Sequence, residues 1–527
     1  MSSYATLSEL LTDLVRTRPD EPCLVYGDDS WSYREFSEEV ARVACALQGL
    51  GLHSGQKIAL LLPNCPQFLF TVFAMARTGG VFVPLNTGQT ADEVKYILTH
   101  SEALCLLTTE AFIPLVNAVR HDCPGLKHVI TLDQDNGSDA LAWEHFLAGA
   151  VGGPESTTVS AEDLASITYT SGTTDRPKGV MLKHLAFAFA PNQRARALGW
   201  NEHDRVLVVM PLFHVNALCH MSIAMMSVGG VVVLKDRFSA SRFWDDVRAN
   251  AITTSSIMQT IPRILLNLPP GVDDANTSLR QVMALLPPDV HLEFEERFGV
   301  TAIPSYSLTE DLLSVLGPLE ESERKLGSCG VAIAPDVHRL SIRNDAGEVC
   351  APGELGEITK QSPTVMMGYY KNTAATAAAL KGGWLHTGDI GFLDPDGFLY
   401  FVDRKKDIIK RAGENIASAE VERVLNSHPM IAESAVVAVP DVMRQEEVKA
   451  CVVLKPDRSG ETLLPGDLWV FCAEHLASFK VPRYLEFRHD LPKTPSSKVQ
   501  KNLLREEGLH GAVLDRAELS KPPPGPT

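Results

Sequence analysis

Two spacings of apolar residues alternate along this chain. One is the three-to-four-residue repeat of amphipathic helices, the other the short continuous apolar run of a buried strand. Residues 7–50 open with a helical pattern and offer short strands at 23–26 and 30–33 around an Asp-Asp turn. A second helical pattern over 33–50 stops at Gly51. The run Ile58-Ala-Leu-Leu-Leu62 predicts a buried strand, followed by a helix containing 68–76, a Gly79-Gly80 stop and a strand at 81–83. Strand, helix and strand within about thirty residues make a parallel βαβ unit, and the pattern repeats over 104–131. Further strands are predicted at 164–167, 205–210, 231–234, 253–258, 282–286 and 301–304, with a helical pattern from about Leu185. The predicted fold class is α/β, with parallel sheets in a large N-terminal domain.

The texture changes twice. Residues 135–160 are polar and loop-rich, and 320–362 break into short strands and turns that suggest a small β-barrel-like appendage. A last strand at 398–402 meets the charged junction Asp403-Arg-Lys-Lys-Asp407. Beyond it, helices at 418–427 and 467–476, strands at 434–439 and 449–454, and a basic Pro/Ser segment at 492–502 predict a smaller α+β domain. The expected domains are therefore 1–402 and 407–510 joined by 403–406, with 511–527 as a disordered tail that ends in a proline-rich stretch. No internal repeat is present.

Composition narrows the class. A chain of 527 residues exceeds one core. A net charge of -17 argues against a nucleic-acid partner, which needs a basic face. The ten cysteines form no CxxC pair, which suits buried free thiols in a reducing compartment and neither a disulfide framework nor a zinc site. No signal peptide is visible, and no apolar run reaches the about 18 residues of a membrane span. The expected location is the cytoplasm.

The densest chemistry lies in Tyr169-Thr-Ser-Gly-Thr-Thr-Asp-Arg-Pro-Lys-Gly-Val-Met181. After a buried strand, a loop rich in hydroxyls and glycine with a lysine is how a backbone wraps oxyanions: free N–H groups and Ser/Thr hydroxyls donate, and Lys178 adds charge. It is not a Walker A loop, because its lysine precedes the glycine and no Gly-Lys-Ser/Thr order occurs.

This stretch resembles the signature loop of the AMP-forming adenylating enzymes: acyl-CoA synthetases, firefly-type luciferases and the adenylation domains of peptide synthetases. The resemblance runs from about residue 10 to about residue 505 and recurs in several separate stretches. Met210-Pro-Leu-Phe-His-Val-Asn216 and Ile409-Lys-Arg-Ala-Gly-Glu-Asn-Ile416 look most like bacterial acyl-CoA ligases such as carnitine/crotonobetaine–CoA ligase. It implies an acyl-CoA ligase that forms an acyl-adenylate from ATP with Mg²⁺ and passes the acid to coenzyme A. Thr170, Ser171, Gly172, Thr173, Thr174 and Lys178 would then cradle phosphates. Ser305-Tyr-Ser-Leu-Thr-Glu310 matches a stretch in which Tyr306 packs on adenine, Thr309 touches phosphate and Glu310 holds Mg²⁺. Asp389 and Arg404 would take the ribose, and Lys498 would bridge carboxylate and α-phosphate. Lys406 corresponds to the hinge of a mobile C-terminal domain, and Gly413 to a glycine beside the pantetheine tunnel.

The acid pocket implied by the resemblance is lined by His214 and Asn216, by the segment near 254–260, and by Leu285 and Leu286. Its apolar character suggests a hydrophobic acid. Three positions depart from the family's usual glycine: Asp175, Ser307 and Ser497. A carboxylate about 4 Å from a phosphate oxygen costs on the order of 4 kcal/mol at an effective dielectric near 20, roughly a thousandfold in ATP handling. An alternative is therefore a half-enzyme that thioesterifies an adenylate supplied by a partner adenylating enzyme. A second alternative is a module that loads a carrier protein.

Overall fold

Local chemistry starts and stops the elements. Thr6 caps helix Leu7–Thr17 by accepting from Glu9 N, and Leu7, Leu10, Leu11 and Leu14 bury one face. Reciprocal Ser32–Glu35 and Thr90–Glu93 capping boxes open helices Tyr33–Gly49 and Ala91–Ser101, the second of which the apolar spacing did not announce. Left-handed Gly79 ends helix Pro66–Thr78.

The computed structural model describes residues 4–133, 139–148, 150, 153–154, 157–170, 176–257, 261–455, 463–493 and 499–519. Two compact units emerge. One comprises Met1–Ser341, Thr359–Thr387 and Leu393–Tyr400, the other Ile342–Ile358, Gly388–Phe392 and Phe401–Thr527. That the second unit takes in the segments Ile342–Ile358 and Gly388–Phe392 from the stretch 1–402 was not expected. They lie in the five-stranded sheet built from Arg339–Arg343, Gly356–Gln361, Trp384–Leu393, Leu380–Lys381 and Leu399–Arg404, of which only the first two strands fall in 320–362, where the β-rich appendage was predicted.

The first unit holds an eight-stranded and a seven-stranded sheet. Strands Lys57–Leu61, Val81–Pro84, Cys105–Thr108 and His128–Thr131 pair in parallel, as the βαβ reading requires. The seven-stranded sheet centres on Arg205–Val208 between Val231–Leu234 and Thr254–Ser256, also parallel. Helices Pro66–Thr78 and His184–Ala197 are buried on nearly all sides, and their Phe68, Phe73, Phe187 and Ala190 share one core with Ile58 and Phe82 of one sheet and Val206 and Val232 of the other. Such all-round burial erases helical periodicity.

Several expectations need correction. The segment after the phosphate-loop candidate is first a strand, Lys178–Lys183, antiparallel to Leu164–Thr170, and only then helix His184–Ala197. The sheet is mixed as a result. The strand predicted at 282–286 is Gln281–Met283, and the chain turns at Pro287 into helix Pro288–Phe298. Within 135–160, Leu141–Ala142 and Trp143–Ala148 are ordered elements.

The second unit carries a six-stranded sheet in which Gln445–Leu454 pairs with Ile431–Asp441 and with Tyr484–Arg488. The tail expected from residue 511 is partly sheet: Leu514–Asp515 pairs with Tyr484–Leu485, and Asp515 takes a two-pronged contact from Arg483. All ten cysteines are free, with only Cys45 and Cys350 less than buried. Among the described residues no helix is long and apolar enough to cross a membrane.

A wholly enclosed ion pair braces the first unit. Lys360 Nζ lies 2.8 Å from Asp311 Oδ2 and donates to Leu313 O at 2.7 Å, while Ser362 and Thr364 donate to Asp311 Oδ1 at 2.8 and 2.6 Å. Burial would raise the Asp311 carboxyl, but Lys360 and these hydrogen bonds hold it below the ordinary aspartate range. Breaking one side strands a buried charge. Lys360→Met is expected to lower unfolding free energy by about 3–5 kcal/mol in urea titrations, and a paired Asp311→Leu to recover most of the loss. Simple additivity of the two changes would show that the pair is not coupled.

Candidate functional site

The hairpin Leu164–Thr170 / Lys178–Lys183 is the frame. Its register sets Tyr169 opposite Gly179 and Thr170 opposite Lys178. A Cβ on Gly179 would meet Ile167 Cγ2 at 2.7 Å and the Tyr169 ring at 3.2 Å, so the glycine makes room for the tyrosine crossing it. Tyr169 Oη lies 2.7 Å from His100 Nδ1, and burial raises the tyrosine's pKa. Beside it, Arg176 stacks over Tyr96 at 5.2 Å. Both legs of the hairpin are thus pinned. Ser171, Gly172, Thr173, Thr174 and Asp175 between them lie outside the described residues.

Strand Gly368–Tyr369 adds to the hairpin edge, Gly368 opposite Met181 and Tyr369 opposite Val180. This carries Tyr369 to the middle of the site. Lys178 Nζ stands 5.0 Å from the centre of its ring, and its hydroxyl donates to Glu310 Oε1 at 3.0 Å. Glu310 shares a two-residue hairpin tip with Thr309, between the paired Leu308 and Asp311, and its carbonyl accepts from Met366 N at 2.8 Å. Tyr306 is buried on the incoming strand Ser305–Leu308. Ser307 occupies an irregularity of that pairing without a positive φ, so its side chain imposes no backbone strain.

A lysine and a carboxylate on either side of one tyrosine can receive an oxyanion together with its counter-cation. Among the described residues no cluster of three or more His, Cys, Asp or Glu could hold a metal. One protein carboxylate with the remaining ligands from phosphate and water suits Mg²⁺, which dehydrates reluctantly.

His214 begins a helical stretch that continues through the π-helix Asn216–Ile223, whose Ser222 hydroxyl reaches back to Ala217 O at 2.8 Å. Phe213 and His214 rings are 4.6 Å apart. Buried Asn64 holds the approach to His214 by donating to Met210 O and Lys235 O at 3.0 and 2.9 Å and accepting from Leu212 N at 2.8 Å. Asn216 Oδ1 is buried without a hydrogen-bond partner among the described residues. Of the two leucines assigned to the pocket, Leu286 is buried near Pro304 and Gly317, whereas Leu285 is 38% exposed. The leucine pair is split.

The second unit contains the other candidates. Asp389 is buried on Trp384–Leu393, with Arg404 Nε 2.7 Å from its Oδ1, a charge contact and not an aligned hydrogen bond. Gly388 N donates to Glu357 Oε1 at 3.0 Å and Lys405 N to Gly388 O at 2.9 Å, which hold the turn before Asp389. Asp403 accepts from Ser418 Oγ at 2.6 Å and from Ala419 N at 3.1 Å, and exposed Lys406 follows it. Gly413 and Ala412 form a two-residue hairpin tip with φ of 90° and 51°. A Cβ on Gly413 meets nothing within 4 Å, so here the backbone conformation is what asks for glycine. Lys498 and Ser497 lie outside the described residues.

Sequence reasoning passed over Tyr369, Asn64 and His100. Each acts through a partner distant in sequence. The one available signal was the pair of aromatics at Tyr369-Tyr370 after a glycine.

Comparison with known proteins identifies the family. Residues 11–370 match the AMP-binding enzyme family, and 420–498 match the AMP-binding enzyme C-terminal domain. A crotonobetaine/carnitine–CoA ligase of Salmonella arizonae is 35% identical over 520 residues, 95% of this chain and 98% of that protein. Among solved structures, the anthranilate CoA ligase AuaEII in complex with anthranoyl-AMP has a TM-score of 0.87 at 26% identity, covering 96% of this chain and 98% of that one. The O-succinylbenzoate–CoA synthetase of Bacillus subtilis with ATP and magnesium ion has a TM-score of 0.83 at 30% identity, covering 94% and 98%. This chain therefore belongs to the AMP-binding enzyme family, as an AMP-forming acid–CoA ligase that uses ATP, Mg²⁺ and coenzyme A.

Proposed function

We propose that this ligase activates a carboxylic acid with an apolar body, and that the residues named above divide the two half-reactions between them. In the first, the acid's carboxylate oxygen attacks the α-phosphorus of ATP and pyrophosphate leaves. In the second, the thiolate of CoA attacks the acyl carbon and AMP leaves with the bonding pair. The grouping of Lys178, Tyr369 and Glu310 carries the reading, since a cation, a hydroxyl and a carboxylate on adjoining edges suit a polyphosphate and its Mg²⁺.

Thr170, Ser171, Gly172, Thr173 and Thr174 donate to the β- and γ-phosphates beside Lys178. Tyr306 packs on adenine, Thr309 touches phosphate, and Glu310 would hold Mg²⁺, which would supply positive charge beside the leaving pyrophosphate. Asp389 accepts the two ribose hydroxyls with Arg404 alongside, because vicinal hydroxyls suit a two-oxygen acceptor. Lys498 bridges carboxylate and α-phosphate in the first half-reaction. Rotation about Lys406 then brings the face with Gly413 to the pantetheine arm. His214, Asn216 and Leu286 line the acid pocket, with Leu285 at its margin.

Asp175 favours a second reading, in which adenylation is slow and the protein mainly thioesterifies an adenylate supplied by a partner enzyme. Loading of a carrier protein differs only in the thiol, and offering CoA or a holo carrier separately decides between them by product mass.

A panel of acids with ATP and CoA, read by mass spectrometry of adenylates and thioesters, tests the main reading; absence of both products with every acid overturns it. Glu310→Gln is expected to slow pyrophosphate release by about 100-fold or more. Tyr369→Phe, which removes one hydrogen bond worth about 1 kcal/mol, should slow it roughly fivefold. Under the second reading Asp175→Gly raises pyrophosphate release by up to roughly a thousandfold, while turnover of synthetic acyl-AMP stays constant. Rapid ATP–pyrophosphate exchange by the unaltered protein excludes that reading.

A further inference from the structure

Arg194 is a fully enclosed cation that none of these roles uses. It lies on helix His184–Ala197, 1% exposed, packed between the segment Asn216–Ile223 and the hairpin that bears Tyr306 and Glu310. Its Nη1 donates to Ser305 Oγ at 3.1 Å and Ser314 Oγ at 2.8 Å. Among the described residues its Nε and Nη2, and Nε2 of the adjacent Gln193, are buried with no hydrogen-bond partner.

The contrast with other arginines is sharp. Arg280, Arg297, Arg411 and Arg483 are all more exposed, yet each contacts a carboxylate: Asp204, Asp274, Glu447 and Asp515. Among the described residues no carboxylate pairs with Arg194. Nearby Asp311 is taken by Lys360. The neighbouring ring of His220 supplies no negative charge; burial and then Arg194 itself push its pKa down to about 3, and its Nε2 contacts Leu312 O at 2.8 Å. Burial pulls Arg194 down to about 10, still cationic at neutral pH. Two hydroxyls satisfy hydrogen bonds but do not neutralise a guanidinium, and an unpaired buried charge is costly.

The unused atoms are the Nε–Nη2 edge, the same side-on fork with which Arg411 grips Glu447 at 2.7 and 3.0 Å. The elements around the guanidinium are those that carry the residues proposed above: its partner Ser305 immediately precedes Tyr306, and the packed segment Asn216–Ile223 continues directly from His214. We propose that Arg194 receives a second carboxylate on the acid, so that the preferred substrate is a dicarboxylic acid with an apolar middle. One end is adenylated while the far end completes the Nε–Nη2 fork. This rests on the acid–CoA ligase reading and adds the identity of the acid's far end.

The test compares straight-chain monocarboxylic acids with α,ω-dicarboxylic acids of the same length, and with the half-amides of those diacids, by pyrophosphate release and CoA-thioester mass. The intact protein should favour a diacid over its matched monoacid and half-amide. Arg194→Met should cut kcat/KM for the diacid by about 100-fold, as loss of one partner in a desolvated ion pair does, and leave or improve that for the monoacid. AMP binding by calorimetry checks that the variant is folded. If it is not, Arg194→Lys decides: a point charge without the fork should narrow the diacid preference. An unaltered preference ratio in the folded variant, or a monoacid preference in the intact protein, overturns the assignment while leaving the ligase reading in place. Consumption of no acid from any series overturns both.

Discussion

The antiparallel pairing of Leu164–Thr170 with Lys178–Lys183 is the constraint on which the nucleotide half of the first unit depends. A loop of hydroxyls and glycines can wrap phosphate only if its two ends are held at a set spacing. Backbone hydrogen bonds along the hairpin hold them. Gly179 lets Tyr169 lie across the pair, and the His100–Tyr169 contact ties one leg to the neighbouring helix Ala91–Ser101. The outer edge then recruits Gly368–Tyr369, and with it the tyrosine that brings Lys178 and Glu310 into one group. Strand order, not proximity in sequence, assembles that group.

Behind this surface the first unit spends much of its interior on charge. Lys360 and Asp311 are enclosed together immediately after Glu310. Arg194 is enclosed a short distance away with only hydroxyl partners. An enclosed pair makes weak net stability but specific geometry, because any shift that separates the partners is heavily penalised. The Asp311 contact therefore stiffens the base of the hairpin tip, whereas Arg194 is held among the described residues by hydroxyls alone.

The second unit solves a different problem. Its candidate groups sit on turns whose shape is held locally: Gly388 between Glu357 and Lys405, and Gly413 at a tip where the left-handed backbone is needed. Asp403 is clasped by Ser418 and Ala419 just before the charged junction, while Lys406 remains exposed. Its neighbours are also held, Lys405 N by Gly388 O and Asp407 N by Arg404 O, so the junction is a folded turn.

Much was legible before any coordinates. Runs such as Ile58–Leu62 and the glycines after 76 announced the βαβ units, because a doubly covered parallel strand must be apolar throughout and a helix end favours a left-handed glycine. The stretch from Tyr169 suggested the family, which the match over residues 11–370 shows, because residue type and spacing alone determine which donors a loop offers. Strand Lys178–Lys183 escaped, since a brief apolar stretch suits several structures equally until a partner edge selects one. Tyr369, Asn64 and Arg194 escaped for a deeper reason. A tyrosine, an asparagine and an arginine have no fixed meaning in one dimension, and theirs came from Glu310, Met210 and Ser305, which only the fold brought within hydrogen-bonding reach.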